Sequence, residues 1–225
     1  LLDAIVVPTD GLAERFRRFN RSVAVARNYP LLEEFSPPPE DVGTKRRGAC
    51  YVGGIFRNRG AFEMAEAAKI AGTVVTMAGP FQPSSLENEV REAFPESFVY
   101  AGTLDRNGVA KLLSESAVGL VVLHGIPTYR ESLPVKMFEY MAAGLAVVAS
   151  DFPLWREIVE NGECGLCVDP GDPAEIAKAI ETIVGDPELA ERMGANGRRL
   201  VEERYNWAIE ERSLLALYRE LENVK

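Results

Sequence analysis

The strongest constraint on this chain is a rhythm that runs from residue 49 to residue 170. Short apolar runs alternate there with longer amphipathic stretches. "ACYVGGI" (49–55), "TVVTMAG" (73–79), "SFVYAG" (97–102), "VGLVVLH" (118–124), "LAVVAS" (145–150) and "CGLCVDP" (164–170) read as strands. Between them, "RGAFEMAEAAKIAG" (59–72), "SSLENEVREAF" (84–94), "NGVAKLLSES" (107–116), "PVKMFEYMAAG" (134–144) and "PLWREIVEN" (153–161) read as helices. The first has alanines on one face, and the second opens on serines suited to capping. Strands that are apolar throughout, rather than in alternation, are covered on both faces, and intervening helices supply that cover. The expected fold is α/β, a doubly wound, Rossmann-like parallel sheet.

Before this series, "AIVVP" (4–8), "DGLAERFRRF" (10–19) and "SVAVARN" (22–28) read as strand, helix and strand. "YPLLEEFSPPPEDVGTKRRG" (29–48) holds four prolines and mixed charge and reads as a linker. Three further helices, 172–185, 187–205 and 206–225, end the chain. The first residue is not Met, and "LLDAIVVP" starts as if already inside a strand. The expectation is a piece of a longer protein.

The chain has 225 residues, 47% of them apolar, enough for a sizeable core in one or two domains. A net charge of −9 argues against nucleic acid as a partner, though a local cationic pocket remains compatible with it. Three cysteines, Cys50, Cys164 and Cys167, do not form a disulfide framework, and a cytoplasmic location is the simpler expectation. "CGLC" has half-site spacing, but no second pair completes a metal site, so two small buried thiols are expected and no metal. No run of about eighteen apolar residues marks a transmembrane segment.

Ligands of doubly wound sheets bind at the carboxyl ends of the strands. After the first strand of the series comes "GGIFRNRG" (53–60). Gly53 and Gly54 allow a tight turn and close approach of a ligand, and Arg57 and Arg59 suit a diphosphate near a helix start. The alternative is a glycine-rich turn with solvated arginines. Neither a P-loop nor the GxGxxG dinucleotide pattern occurs. In "YAGTLDRNG" (100–108), Gly102, Thr103 and Leu104 are small or apolar and leave backbone free for a flat base.

The most informative stretch is "HGIPTYRESLPVKMFEYMAAG" (124–144), a long loop followed by a helix with Pro134 in its first turn. Ser132 and Leu133 put backbone N–H groups at the helix start, where a phosphate or sugar hydroxyl can dock. Glu131 precedes that start, and Glu139 lies about a turn and a half further along. Two carboxylates accepting from vicinal hydroxyls would make a sugar clamp. Lys136 is placed to balance their charge. A solvated helix face is the alternative for the glutamates. Phe138, Met141 and Ala142 read as core, and Trp155 and Trp207 as packing anchors. His124, the only histidine, has no nucleophile–base–orienter set around it in the sequence.

The run "ESLPVKMFEYMAAGLAVVASDFPLWREIVENGECGLCVDPGDP" resembles the donor-site signature of the family-4 (group 1) glycosyltransferases, which have the GT-B fold. "YVGGIFRNRG" is similar to their phosphate loop, and "FVYAGTL" to their base-binding turn. The resemblance covers the chain from about residue 46 to its end. It implies that residues 46–225 are the carboxyl-terminal nucleotide-sugar domain, with a last helix that crosses back to the other domain. Residues 1–35 resemble the last β-α-β of an amino-terminal acceptor domain otherwise missing here.

By the same resemblance, Glu131 contacts the donor sugar near the reacting carbon and Glu139 holds the ribose hydroxyls. Arg59 binds the diphosphate, and Ser132, Leu133 and Pro134 contact sugar and phosphate through backbone. The family's first phosphate-loop arginine aligns with Gly54. That leaves either Arg57 as a substitute or a branch that reads its phosphates differently. The implied reaction is transfer of a sugar from a nucleoside-diphosphate sugar with retention and without a metal or other cofactor. The implied acceptor is a glycan or lipid-linked molecule of cell-surface polysaccharide synthesis. Peripheral membrane association through the missing domain stays open. Two rival readings also stay open: a sugar-nucleotide 2-epimerase of the same fold, expected to carry more histidines and acidic residues, and a non-catalytic sugar-nucleotide-binding module.

Overall fold

Residues 2–35 and 46–222 are described by a computed structural model. The chain opens with β1 (Ile5–Val7), α1 (Asp10–Arg17) and β2 (Val23–Val25). β1 and β2 pair in parallel, and the Thr9 hydroxyl caps α1 by accepting the Leu12 N–H.

The main body follows as β3 (Ala49–Val52), β4 (Ile55–Phe56), α2 (Ala61–Ile70), β5 (Val75–Ala78), β6 (Phe81–Gln82), α3 (Leu86–Ala93), β7 (Phe98–Tyr100) and α4 (Arg106–Glu115). It continues as β8 (Val118–Val121), α5 (Pro127–Arg130), α6 (Val135–Ala142), β9 (Ala146–Ser150), α7 (Pro153–Val159) and β10 (Gly165–Val168). The last helices are α8 (Pro173–Gly185), α9 (Pro187–Glu203) and α10 (Trp207–Glu222). No helix among the described residues is long and apolar enough to cross a membrane.

Six strands form one parallel sheet in the order β7-β5-β3-β8-β9-β10. This is the doubly wound arrangement read from the sequence. The chain builds outward from β3 to β7, then returns to lay β8 on the other side of β3. The switch point therefore lies between β3 and β8.

Period-two geometry explains the uniformly apolar strands. Ala49 and Tyr51 enter the core under α2, α3 and α8, while Cys50 between them enters the core under α6, α7 and α9. Leu120 and Val122 likewise face one core, and Val121 and Leu123 the other. In β8 and β9 every residue is buried.

Four local expectations need correction. The serines before α3 do not cap it through their side chains; the Leu86 and Glu87 N–H groups bond instead to the carbonyls of Pro83 and Ser84. Side-chain caps do open α4, α8 and α9, through Asp105, Asp172 and Asp186. The long loop after β8 contains a helical turn, α5, because Pro127 presets its first residue. Pro134 is the N-cap of α6 rather than a residue of its first turn. Finally, 29–48 is not a free linker along its first part. Leu32–Glu34 form a 3-10 turn, Tyr29 packs edge-on against Phe138, and Phe35 is buried in the core under α6. The proline-rich segment 36–45 lies outside the described residues.

The last helix returns to the start of the chain. The Arg27 N–H donates to the Glu210 carboxylate of α10 at 2.9 Å, and the Trp207 N–H donates to the Pro30 carbonyl at 3.0 Å.

Candidate active site

The crevice begins where β3 and β8 part. They are in register at only two pairs, Ala49 with Val118 and Cys50 with Gly119, whereas β3 and β5 share four. Tyr140 of α6 fills the space beneath. A Cβ at Gly119 would sit 2.3 Å from its ring, so only glycine at that strand position admits it. The Tyr140 hydroxyl accepts the Val52 N–H at 2.8 Å, and burial pushes its pKa well above the ordinary value.

Above this plug the chain turns at Gly53, whose φ of 120° favours glycine, and Gly54. The Tyr51 hydroxyl donates to the Gly54 carbonyl at 2.8 Å. Arg59, in the 3-10 turn Arg57–Arg59, donates to the same carbonyl at 3.2 Å and to the Tyr129 hydroxyl at 3.3 Å. Its guanidinium also lies over the Phe56 ring. Burial opposes its charge, but Tyr129 and Tyr51 outweigh that, and its pKa stands above the ordinary value. Arg59 makes no ion pair among the described residues. It is a held cation without an anion.

Arg57 is not brought into this group. It pairs with Glu89 of α3 and lies over the Phe62 ring of α2. Arg57 and Arg59 are the two ends of one tight turn and diverge. The expectation that Arg57 joins Arg59 as a diphosphate ligand is therefore not met in this conformation.

On the facing side, the Ser132 N–H is already donated to the Tyr129 carbonyl at 3.2 Å, and the Ser132 carbonyl accepts the Trp155 indole N–H at 2.7 Å. Ser132 thus offers no open backbone amide, contrary to the sequence reading. Leu133 packs on the core under α6. Glu131 closes α5 and is exposed, two residues after Tyr129.

Lys136 and Glu139 lie one turn apart on α6. The Lys136 residue is partly exposed overall, yet its Nζ is sealed from solvent with no hydrogen-bond partner among the described residues. It lies 3.5 Å above the centre of the Tyr51 ring and 3.1 Å from where a Cβ on Gly53 would sit. Burial, and secondarily Arg59, hold its pKa well below the ordinary value, against an opposing pull from Glu139.

Glu139 lines a cavity of about 280 Å³ with Asn28, Tyr29, Glu34, Arg106 and Trp207. Arg106 approaches Glu139 at 3.8 Å and also pairs with Glu34. Burial raises the Glu139 pKa, and Arg106 and Lys136 offset part of the rise.

Gly102, Thr103 and Leu104 follow β7. Gly102 has a φ of 76°, its carbonyl accepts the Gly79 N–H at 2.8 Å, and space beside it is open. Thr103 is exposed. This turn lies two strands, about 10 Å, from the end of β3.

His124 meets Glu63 of α2 at 2.9 Å, and its N–H donates to the Asn58 carbonyl, so it braces the turn that carries Arg59. Burial pushes the thiols of Cys50, Cys164 and Cys167 up to about 12, which leaves them inert at neutral pH.

Sequence reasoning missed Tyr51, Tyr129, Arg106, Asn28 and Trp207. Gly119 inside an apolar strand was the one available signal for the Tyr140 plug. The Glu139 cavity is built from the residues before and after the main body, which no local pattern joins to α6.

The model for "Glycosyl transferases group 1" matches residues 33–200. The chain is 29% identical over 212 residues to an alpha-maltose-1-phosphate synthase of Mycobacterium tuberculosis, covering 87% of this chain and 52% of that protein. It thus spans about half the length of that curated relative. Among solved structures, it superposes on Anabaena HepE in complex with UDP and glucose with a TM-score of 0.78 at 14% identity, covering 98% of this chain and 64% of HepE. It also matches the C-terminal domain of a group 1 family glycosyl transferase, LpcC, from Francisella tularensis, with a TM-score of 0.64 at 21% identity. That match covers 78% of this chain and 98% of that one. The chain belongs to the group 1 glycosyltransferases and has the fold of the GT-B enzymes.

Proposed function

We propose that this chain is the donor-binding part of a retaining glycosyltransferase that takes its sugar from a nucleoside-diphosphate sugar. The observation that carries the reading is the pairing across the switch point. An arginine with no anionic partner among the described residues stands at the end of β3, and a half-buried carboxylate facing an open cavity stands on α6.

Diphosphate and ribose are the two parts of a sugar nucleotide that need those groups. Arg59 would take the diphosphate by charge-assisted hydrogen bonds, and Glu139 would accept from the ribose hydroxyls. Gly102, Thr103 and Leu104, at the end of β7, would border the base. Glu131, exposed at the α5–α6 junction, would meet the sugar. As the glycosidic bond to the diphosphate lengthens, negative charge grows on the departing phosphate oxygen, and Arg59 is already oriented by Gly54 and Tyr129 to stabilise it. The acceptor, a glycan or lipid-linked molecule of cell-surface polysaccharide synthesis, would approach from an amino-terminal domain of the same protein. HepE, which shares this fold, was solved with UDP and glucose, consistent with a donor of that class.

Calorimetric titration of the 225-residue chain with UDP, GDP and ADP tests the reading. Saturable binding of one nucleoside diphosphate, weakened when Glu139 is replaced by Ala, is the expected result. No binding of any of the three removes the proposal.

A further inference from the structure

We propose that Lys136 is the second diphosphate-binding cation of this chain, projecting from α6 to the Gly53–Gly54 turn. The proposal rests on the reading of the cleft as a nucleoside-diphosphate site and assigns the group that completes it.

The geometry is unusual for a lysine with a structural role. Lysine is mostly exposed, and a buried ammonium normally finds acceptors for its three donors. Here Nζ is sealed and has none among the described residues. Its neighbours are the Tyr51 ring face at 3.5 Å and the Gly53 backbone, whose missing side chain leaves it room. A ring face attracts a cation but accepts no ordinary hydrogen bond. Exposed carboxylates abound in this chain, and yet the side chain is drawn inward to the turn that also anchors Arg59 through the Gly54 carbonyl. Arg57, the other cation of that loop, is committed to Glu89. Two cations from different elements, Arg59 and Lys136, thus converge on one glycine turn, and neither has an ion-pair partner among the described residues.

The charged or titratable groups acting on Lys136 are Arg59 from the turn, Glu139 from its own helix and Tyr51 from the strand beneath. Burial and Arg59 favour the neutral amine in the empty site, and a bound diphosphate would favour the ammonium. At pH values above the depressed folded pKa, binding then draws protons from solvent onto Nζ, and affinity falls as pH rises through that range.

The test is calorimetry with UDP and with inorganic pyrophosphate across a pH series below the ordinary lysine pKa of 10.5, in buffers of different ionisation enthalpy. Wild type is expected to take up protons on binding. Lys136→Met should lose about tenfold or more in affinity for both probes and lose the proton uptake. Lys136→Arg should keep affinity but lose the uptake, because a guanidinium never releases its proton. Binding by Lys136→Met equal to wild type, or weakened with proton uptake unchanged, overturns the proposal. Should the Met variant fail to fold, wild type and Lys136→Arg decide: equal proton uptake in both, or none in wild type, overturns it. In each of these cases wild-type binding leaves the donor-site reading intact, whereas a wild type that binds neither pyrophosphate nor any of UDP, GDP and ADP removes both.

Discussion

The hydroxyl of Tyr140, on α6, accepts the Val52 N–H of β3 at 2.8 Å, and so ties the helix that carries Glu139 to the strand that leads into the glycine turn. The Tyr140 side chain is fully buried, and Val52 lies beyond the two register pairs that β3 makes with β8. Tyr140→Phe leaves the Val52 N–H unpaired and should destabilise the chain by about 1–3 kcal/mol in urea unfolding. A change below a few tenths would show that water or a backbone shift replaces the hydroxyl.

Lys136 should cost the empty protein stability. Lys136→Met keeps the apolar stem and removes a buried amine that has no acceptor among the described residues, and should stabilise by about 1–3 kcal/mol at neutral pH. The sign follows from linkage. The folded-state pKa lies below the ordinary 10.5, so the unfolded chain binds more protons, and wild-type stability rises with pH from the depressed folded value up to about 10.5. Unfolding of the Met variant across that window should lack this rise.

Glu139 carries the opposite sign. Burial raises its folded pKa above the ordinary 4.5, so its contribution to stability is full below 4.5 and is lost as pH climbs through the raised value. Glu139→Gln removes the titration and should flatten the stability profile in that window. An unchanged slope would mean that Arg106 compensates the burial completely.

How much of this was legible beforehand divides along a physical line. The uniformly apolar strands, the doubly wound sheet and the core positions Phe138, Met141 and Ala142 could be read, because burial on both faces leaves a direct mark on composition. Arg59 could be singled out as a candidate from its place after a strand, and Glu139 from its place on the helix after the long loop. The direction of Arg57 could not, since a tight turn sends neighbouring side chains opposite ways without any sequence signal. Nor could the sealed Nζ of Lys136, which depends on a glycine 83 positions earlier, nor the role of Trp207 beside Glu139, which depends on α10 folding back onto the start of the chain.

The two arginines of the glycine loop should differ in consequence. Arg59→Ala is expected to weaken nucleoside-diphosphate binding by about 1–3 kcal/mol, and Glu139→Ala by a similar amount. Arg57→Ala, removing an exposed pair with Glu89, should change it little. Competition titration of the three variants separates them; a larger loss from Arg57 than from Arg59 would reverse the assignment.

A crystal structure of the chain soaked with the nucleoside diphosphate that binds it is the most direct measurement of all. The account predicts phosphate oxygens within hydrogen-bond reach of Arg59 above the Gly53–Gly54 turn, and ribose hydroxyls on Glu139. Density for the nucleotide elsewhere, such as the open surface hollow lined by Arg130, Asp151 and Arg156, with the end of β3 unoccupied, would contradict it.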